Sequence, residues 1–527
     1  MKIKRATALL EGLGGEKQRW GDNSEDLTAR YQNLVGDMLI CAANIAYLGS
    51  FTSKYRISTL RTWIQNCQDY NLNVSHNVTL ENTLGEPVTI RKWNIYSLPT
   101  DSFSKENAII VFNGRRWPLM MDPQGQANRW IKNLEHENHL NVVKLSDLDF
   151  LRNFKKAIQF GEPLLLENLG EELDPSLEGV LSKQIFKNAG MWSIKLADEI
   201  IDYSNDFRLY MTTKIPNPHY LPQISTKVTL INFMITYKGL RDQLLDLVVQ
   251  KEKPALEEKR TKLINESYEN KKKLKECEER ILEVLRTTKG DILNNEDAIN
   301  ILNDSQTLAK EFQEKQAIAE VTEQNIEENR RLYNPIADHS SLLFFIISNL
   351  GHIDVMYQYS LSWFIQLFGA TIDNSEQSDY VDERIKILTT DFTYSLYENI
   401  CRSLFQKDKL LFSFLLTATI QQSENAFTIP EYKFFITTHS SLKNPKGSPN
   451  ECSEWLPESI WNNICLLSEV SKPFEAIDAQ FKENQNMWKN FYESPEPHTQ
   501  TLPHSHSHLT IFQKLCLVKY PFFNLEF

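Results

Sequence analysis

The sequence predicts an α/β module, a parallel sheet covered by helices, joined to an antiparallel coiled-coil hairpin and an α-helical lid region. Three features carry this reading. Between residues 95 and 235, short apolar runs suited to strands alternate with helical stretches, the pattern of a parallel, helix-covered sheet. From about Lys253 to Tyr333 charged residues dominate, and apolar ones recur in roughly heptad steps on both sides of a glycine-containing turn. Beyond it, residues 341–370 are apolar on nearly all sides, and 391–417 form another buried helical run. The first of these carries Asn349, His352, Asp354 and Gln358, which favours burial in a helical lid over a membrane span.

Residues 1–20 end in GLGGEKQRW, whose three glycines are expected to break a charged helical start before Trp20, with the next helix opening at Asn23 or Ser24. From Leu27 to Leu48, apolar residues at three and four spacing (Leu34, Met38, Cys41, Ile45, Leu48) predict a core-facing helix, interrupted by Asn33 and Asp37. Between about 74 and 100, β-leaning pieces alternate with prolines. Asn107–Asn113 (NAIIVFN) then reads as a buried strand. A second strand, Trp117–Met121, runs into the turn Asp122-Pro123-Gln124-Gly125 and a helix from about Gln126. That order, strand, turn and helix, is the frame of a phosphate-binding loop. Further strands fit Asn141–Leu145, Pro163–Leu166 and Phe207–Thr212.

In the hairpin, Leu256, Leu263, Leu274, Cys277, Ile281 and Leu285 mark one arm, and Ile299, Leu302, Leu308, Phe312 and Ile326 the other. The turn TTKGDILNNED lies between them and Pro335 stops the pattern. Arms of about thirty residues span roughly 45 Å at ~1.5 Å per residue. Residues 440–527 are Pro-, Trp- and Asn-rich with less periodicity, and no internal repeat of fixed period occurs.

At 527 residues the chain is too long for one core and should be modular. Its net charge of -12 sets a field that repels nucleic acid and anionic membrane, so neither is an expected partner. Seven scattered cysteines without a CxxC pair suit reduced thiols in a cytosolic-type compartment. The apolar run Ala8–Leu10 is too short for a signal-peptide core. A soluble, intracellular chain is expected, and the sequons at Asn73, Asn77, Asn265 and Asn303 should then stay unmodified.

A working phosphate loop needs glycines for close backbone approach, a Lys for the β- and γ-phosphates and a Ser/Thr hydroxyl for Mg²⁺. Laid on Asp122–Arg129, the pattern GxxGxGK[ST] leaves only Gly125 in place. Asn128 stands where Lys belongs and Arg129 where Ser/Thr belongs. On the next candidate strand, Leu164-Leu165-Leu166-Glu167-Asn168 offers one carboxylate. Asn168 cannot act as a general base there. Hydrolysis is not expected at Asp122, Gly125, Asn128, Arg129, Glu167 and Asn168, nor is nucleotide binding. Arg115, Arg116 and Arg129 would meet a phosphate or, on the plainer reading, form surface ion pairs.

Several long strings resemble the later part of a dynein heavy chain: GLGGEKQRW, RRWPLMMDPQGQANRWIKNLE, PLLLENLGEELDPSLEGVL, FRLYMTTKIPNPHYLPQISTKVTLINF and MYQYSLSWFIQLF. Their wording is more similar to axonemal than to cytoplasmic heavy chains. The resemblance implies the returning end of the microtubule-binding stalk at 1–20, a helical lead-in at 21–94 and a degenerate AAA+ unit, the fifth of the ring, at 95–248. It further implies an antiparallel coiled-coil buttress at 249–335, a helical lid at 336–420 and a partial sixth-unit region at 421–527. Phe207–Thr212 and the loop Asn217–Tyr220 would sit where related modules place their sensor.

The resemblance also implies a mechanical role. ATP and Mg²⁺ would belong to other units of the parent motor, with no cofactor on this chain. The partners would be the rest of the heavy chain and its intermediate and light chains, with the microtubule met only indirectly. The location would be the cytoplasm, cytoskeleton and ciliary axoneme. The first four AAA+ units, linker, tail and stalk tip lack counterparts here, and YPFFNLEF departs from the family after LTIFQKLCLVK, as in a short isoform, a truncated gene model or a fragment.

Two other readings stay open: an ATPase with an unusual, weakly binding regulatory site, and a free coiled-coil adaptor built on the charged hairpin. His504, His506 and His508 alternate in a Pro-containing stretch and would reach one metal only if extended, so a plain loop is preferred. Cys452 and Cys465 have no neighbouring ligand, and no metal is expected.

Overall fold

The computed structural model describes residues 2–188, 190–196, 199–287, 296–437, 449–475, 477–494 and 509–522. Two compact units are present. The first comprises Met1–Phe345 with Gln358–Ser395, the second Ile346–Tyr357 with Leu396–Phe527.

The first unit is built on a five-stranded parallel sheet of β1 (Trp117–Met121), β2 (Asn141–Lys144), β3 (Leu164–Glu167), β7 (Leu209–Thr213) and β8 (Val228–Asn232), in the order β2-β3-β7-β1-β8. The inner strands β1, β3 and β7 are covered on both faces, and every residue in them is buried. The pleat nevertheless sorts alternate residues. Met120, Leu165, Tyr210 and Ile231 join Ile109, Ile110 and Trp130 on one face. Leu119, Leu164, Leu166, Leu209 and Met211 join Phe154 and Leu177 on the other.

Four of these strands, β1, β2, β3 and β7, fall where the sequence predicts them; β8, Val228–Asn232, is a fifth that the sequence reading does not predict. Between β3 and β7 the chain inserts a second, antiparallel sheet of β4 (Ile185–Asn188), β5 (Met191–Leu196) and β6 (Glu199–Asp202), which sequence reading missed. Its strands are short and largely exposed, leaving little period to read.

Two local expectations are overturned. Asn107–Asn113 is not a strand but the second half of a helix, Ser102–Asn113. The Asp101 carboxylate caps its N-terminus by accepting the Ser104 N–H at 3.3 Å. The run is apolar on several sides because the helix is covered on several sides, which imitates a buried strand. Nor do Gly12, Gly14 and Gly15 break the chain: one helix runs Lys2–Ala43, and no start occurs at Asn23 or Ser24. Glycine costs helix stability, roughly 1 kcal/mol each against alanine, but removes no hydrogen bond. Among the residues of that helix whose burial is described, Gly36, Asp37, Ile40 and Cys41 are buried while Leu34 and Met38 stay exposed, and Leu48 is buried just beyond its end.

The hairpin arms are Pro254–Thr287 and Glu296–Arg331, and the TTKG part of the expected turn lies largely outside the described residues. Ser267 donates to Gln316 at 3.1 Å while Lys273 sits over the Phe312 ring, an antiparallel register. Leu256, Leu263, Leu274 and Cys277 are only half-buried, as expected of a two-helix seam.

The apolar stretch 341–370 is divided between helices Asn334–Asn349 and Leu361–Asn374. Asn349, His352, Asp354 and Gln358 fall around the break, exposed or half-buried. In the first unit Phe364 and Phe368 pack edge-on against Phe392. No described helix is long and apolar enough to cross a membrane.

The second unit has its own core of Trp461, Trp488, Phe474 and Phe427 stacked on Phe512, with Cys452, Cys465 and Cys516 buried among them. Glu431 organises it. Its side chain completes a capping box with Thr428 and accepts from Ser471 at 2.6 Å and Gln513 at 3.0 Å. His504, His506 and His508 lie outside the described residues.

Candidate functional site

At the end of β1 the chain turns through Asp122 to Gly125, which adopts a left-handed φ of 76° and leads into the helix Gln126–Leu134. The first N–H groups of a helix have no intrahelical partner, and together with the helix dipole they make an anion cradle. Here the cradle is filled from within. The Asp122 carboxylate accepts the Gln126 N–H at 2.8 Å through one oxygen and the Asn128 N–H at 3.0 Å through the other. Asp122 is 2% exposed. Burial pushes its carboxyl above the ordinary value, while the N–H groups of Asn128, Gln126, Gly125 and Ala127 pull in the other direction.

The remaining candidate residues are tied down by neighbours. Asn128, at the lysine position, accepts the Thr212 hydroxyl of β7 at 3.1 Å. Glu167, at the end of β3, lies 2.6 Å from the Lys132 ammonium of the helix Gln126–Leu134, so its charge is paired within the module. Asn168 is exposed with a left-handed φ of 55°. Arg129 is exposed and borders a cleft of about 390 Å³ whose walls include Ser97, Asp242, Glu257 and Arg260.

Arg115 and Arg116 do not join this group. They precede β1 and so lie at the opposite end of the strand from Asp122. Of the sensor candidates, Thr212 reaches the site through its bond to Asn128, and the His219 N–H donates to Glu171 at 2.9 Å. Sequence reading missed Lys132, and took Asp122 only as a lost glycine. An Asp four residues before a helix start was the available signal.

A second constellation sits at the hairpin base. Arg330, on the second arm and 3% exposed, pairs with Asp246 of the helix Tyr237–Glu252 and lies 3.8 Å from Glu257 on the first arm. Arg260 meets Glu257 at 2.9 Å and Asp246 at 3.6 Å. Three helices are thus held by four charges. Further along, Arg91 pairs with Glu323 at 3.2 Å and Lys275 with Glu86, joining both arms to the helix Pro87–Ile95. The second arm also packs against the N-terminal helix.

The parallel strand order, with a phosphate-loop position after the inner strand β1, defines a AAA+-like module. Family models match in two places, "ATP-binding dynein motor region" over residues 91–312 and "Microtubule-binding stalk of dynein motor" over residues 1–67. The chain is 48% identical over 518 residues to mouse dynein axonemal heavy chain 3, covering 98% of this chain and 13% of that protein. It is 43% identical over 520 residues to human dynein axonemal heavy chain 1, covering 98% and 12%. Against mouse dynein axonemal heavy chain 2 the identity is 40% over 504 residues, covering 95% and 11%. The chain belongs to the axonemal dynein heavy-chain family. It spans about an eighth of the length of these curated relatives.

Proposed function

We propose that this chain is a structural and mechanical segment of an axonemal dynein motor that hydrolyses no ATP itself. In this reading it couples ATP-driven changes in other AAA+ units of the ring to the stalk. The observation that carries it is the Asp122 carboxylate in the phosphate cradle. A triphosphate entering there would bring like charge against a buried anion, without the Lys and Ser/Thr that ordinarily offset it. Glu167, the one carboxylate left for metal or water, is paired with Lys132.

Residues 95–248 act as the fifth, nucleotide-free unit in this account and 249–335 as a buttress. The ion pairs at the hairpin base support that assignment, since movement of the helix Tyr237–Glu252 is transmitted directly to both arms. The N-terminal residues serve as the returning stalk, 336–420 as the lid and 421–527 as part of a sixth unit. The partners are the rest of the heavy chain and its intermediate and light chains, with microtubules reached through the stalk, in the axoneme of a cilium or flagellum.

Steady-state ATP hydrolysis by the purified chain tests the reading. Phosphate release at the level of a protein-free control is expected. Turnover above that level that disappears in Glu167→Gln would establish an active site here and overturn it.

A further inference from the structure

Two glycines seat the N-terminal helix and the turn that continues it, Gly36 against the loop 71–78 and Gly49 against the α/β module. At Gly36 a Cβ would lie 2.3 Å from the Asn73 carbonyl oxygen and 2.7 Å from Val74 Cγ2, so the loop 71–78 presses against the helix where a side chain is missing. At Gly49 a Cβ would lie 2.5 Å from the Leu230 carbonyl oxygen of β8. The second seat is firmly held. The Gly49 carbonyl accepts the Asn232 N–H at 2.8 Å and the Arg56 guanidinium at 2.7 Å, and Arg56 is buried against Phe103.

The first seat is held by polar groups on an otherwise apolar stripe. Asp37, 7% exposed, accepts the Ser75 N–H at 2.9 Å and the Ser75 hydroxyl at 2.6 Å, and the Asn33 amide donates to the same hydroxyl at 3.3 Å. These are the residues that interrupt the helical pattern of the sequence.

Between the seats the helix is irregular. Asn44–Leu48 forms a π turn, which accommodates one residue more than an α turn. Within it Asn44 is 1% exposed and its side-chain oxygen has no hydrogen-bond partner among the described residues. A buried unsatisfied carbonyl marks a segment held in a costly conformation by what flanks it.

We propose that the loop 71–78 is an axial detent for the N-terminal helix. Ser75, gripped by Asp37 in the notch at Gly36, fixes the register of the helix on the module. The π turn, lying between this releasable seat and the fixed seat at Gly49, holds the residue that moves when the detent opens. Converting the π turn to α geometry advances the helix by about 1.5 Å and turns it by about 100°. The detent is independent of whether the module binds nucleotide.

The test uses the 527-residue chain with spin labels on ketone-bearing residues placed at Tyr31 and Leu148, both exposed in the first unit. Pulsed dipolar spectroscopy is combined with hydrogen exchange of peptides covering 71–78. The parent chain should give one distance. Gly36→Ala should speed exchange of the loop at least tenfold and add a second, discretely shifted distance, and the milder Asp37→Asn should populate the same shifted distance to a smaller extent. Faster loop exchange with a single unshifted distance in both variants would overturn the proposal, as would exchange within twofold of the parent in both.

Discussion

The Asp122 carboxylate and the Asn128 N–H are hydrogen-bonded at 3.0 Å, at the point where a phosphate loop would hold a phosphate oxygen. The same carboxylate takes the Gln126 N–H, so the site's preorganised donors are spent on the protein's own charge. Asp122→Ala should therefore destabilise the first unit by about 1–2 kcal/mol, the usual cost of losing a helix N-cap. Chemical denaturation followed by near-ultraviolet circular dichroism would measure it; no loss would mean that the cap is energetically idle.

Emptying the cradle is not expected to be sufficient. Asp122→Gly alone should bind no nucleotide, because Asn128 and Arg129 still stand at the lysine and hydroxyl positions. Adding Asn128→Lys and Arg129→Thr should produce saturable, Mg²⁺-dependent binding of a triphosphate. Calorimetric titration of both variants separates the contribution of the filled cradle from that of the missing side chains.

Arg384 is fully buried, pairs with Glu252 at 2.8 Å and donates to the carbonyls of Ile372 and Glu376 where the helix Leu361–Asn374 ends. Arg384→Met leaves the Glu252 carboxylate buried without its partner and should cost about 3–5 kcal/mol. The double variant with Glu252→Gln should recover part of that loss. A purely additive pair in urea unfolding would show that the two residues are not coupled.

Arg330 holds the hairpin base. Arg330→Met should lower the local opening free energy of both arms by about 1–3 kcal/mol, at the low side of the buried-pair range because Asp246 is half-exposed. Hydrogen exchange should rise in peptides of 254–270 and 318–331 and stay unchanged in the sheet strands. A uniform rise across the unit would instead report global destabilisation.

His339 is half-buried with its Nε2 2.7 Å from the Thr393 hydroxyl, and burial lowers its pKa. The neutral form is favoured in the folded state, so its contribution is present above the ordinary value near 6.5 and declines as pH falls through the lowered folded value. The stability difference between the parent chain and His339→Gln should shrink between about pH 7 and pH 5. Parallel stability curves over that interval would contradict it. Comparing the two chains cancels the opposite trend of Asp122, Glu106 and Asp246, whose carboxyls burial raises.

Legibility in the sequence followed how local each determinant is. The strands β1, β2, β3 and β7 carry short apolar runs between turns, and the hairpin carries a long charge and heptad pattern; both are local signals. The helix Ser102–Asn113 was misread because Ile109, Ile110 and Val111 are all buried, which removes the amphipathic period. The strands β4–β6 depend on pairing with one another across short turns. At the candidate site, the losses at Asn128 and Arg129 could be read directly. That Asp122 fills the cradle, that Lys132 pairs Glu167 and that Ser75 grips Asp37 all require knowing which residues meet in space.

The account rests on the phosphate cradle being closed to nucleotide, and an equilibrium titration of the purified chain with a fluorescent ATP analogue and Mg²⁺ tests this most directly. The account predicts no saturable signal up to millimolar concentration, with Asp122→Gly behaving the same way. Saturable micromolar binding by the parent chain would mean that Asp122 yields its place to phosphate, and a regulatory nucleotide site would then replace the mechanical reading of this module.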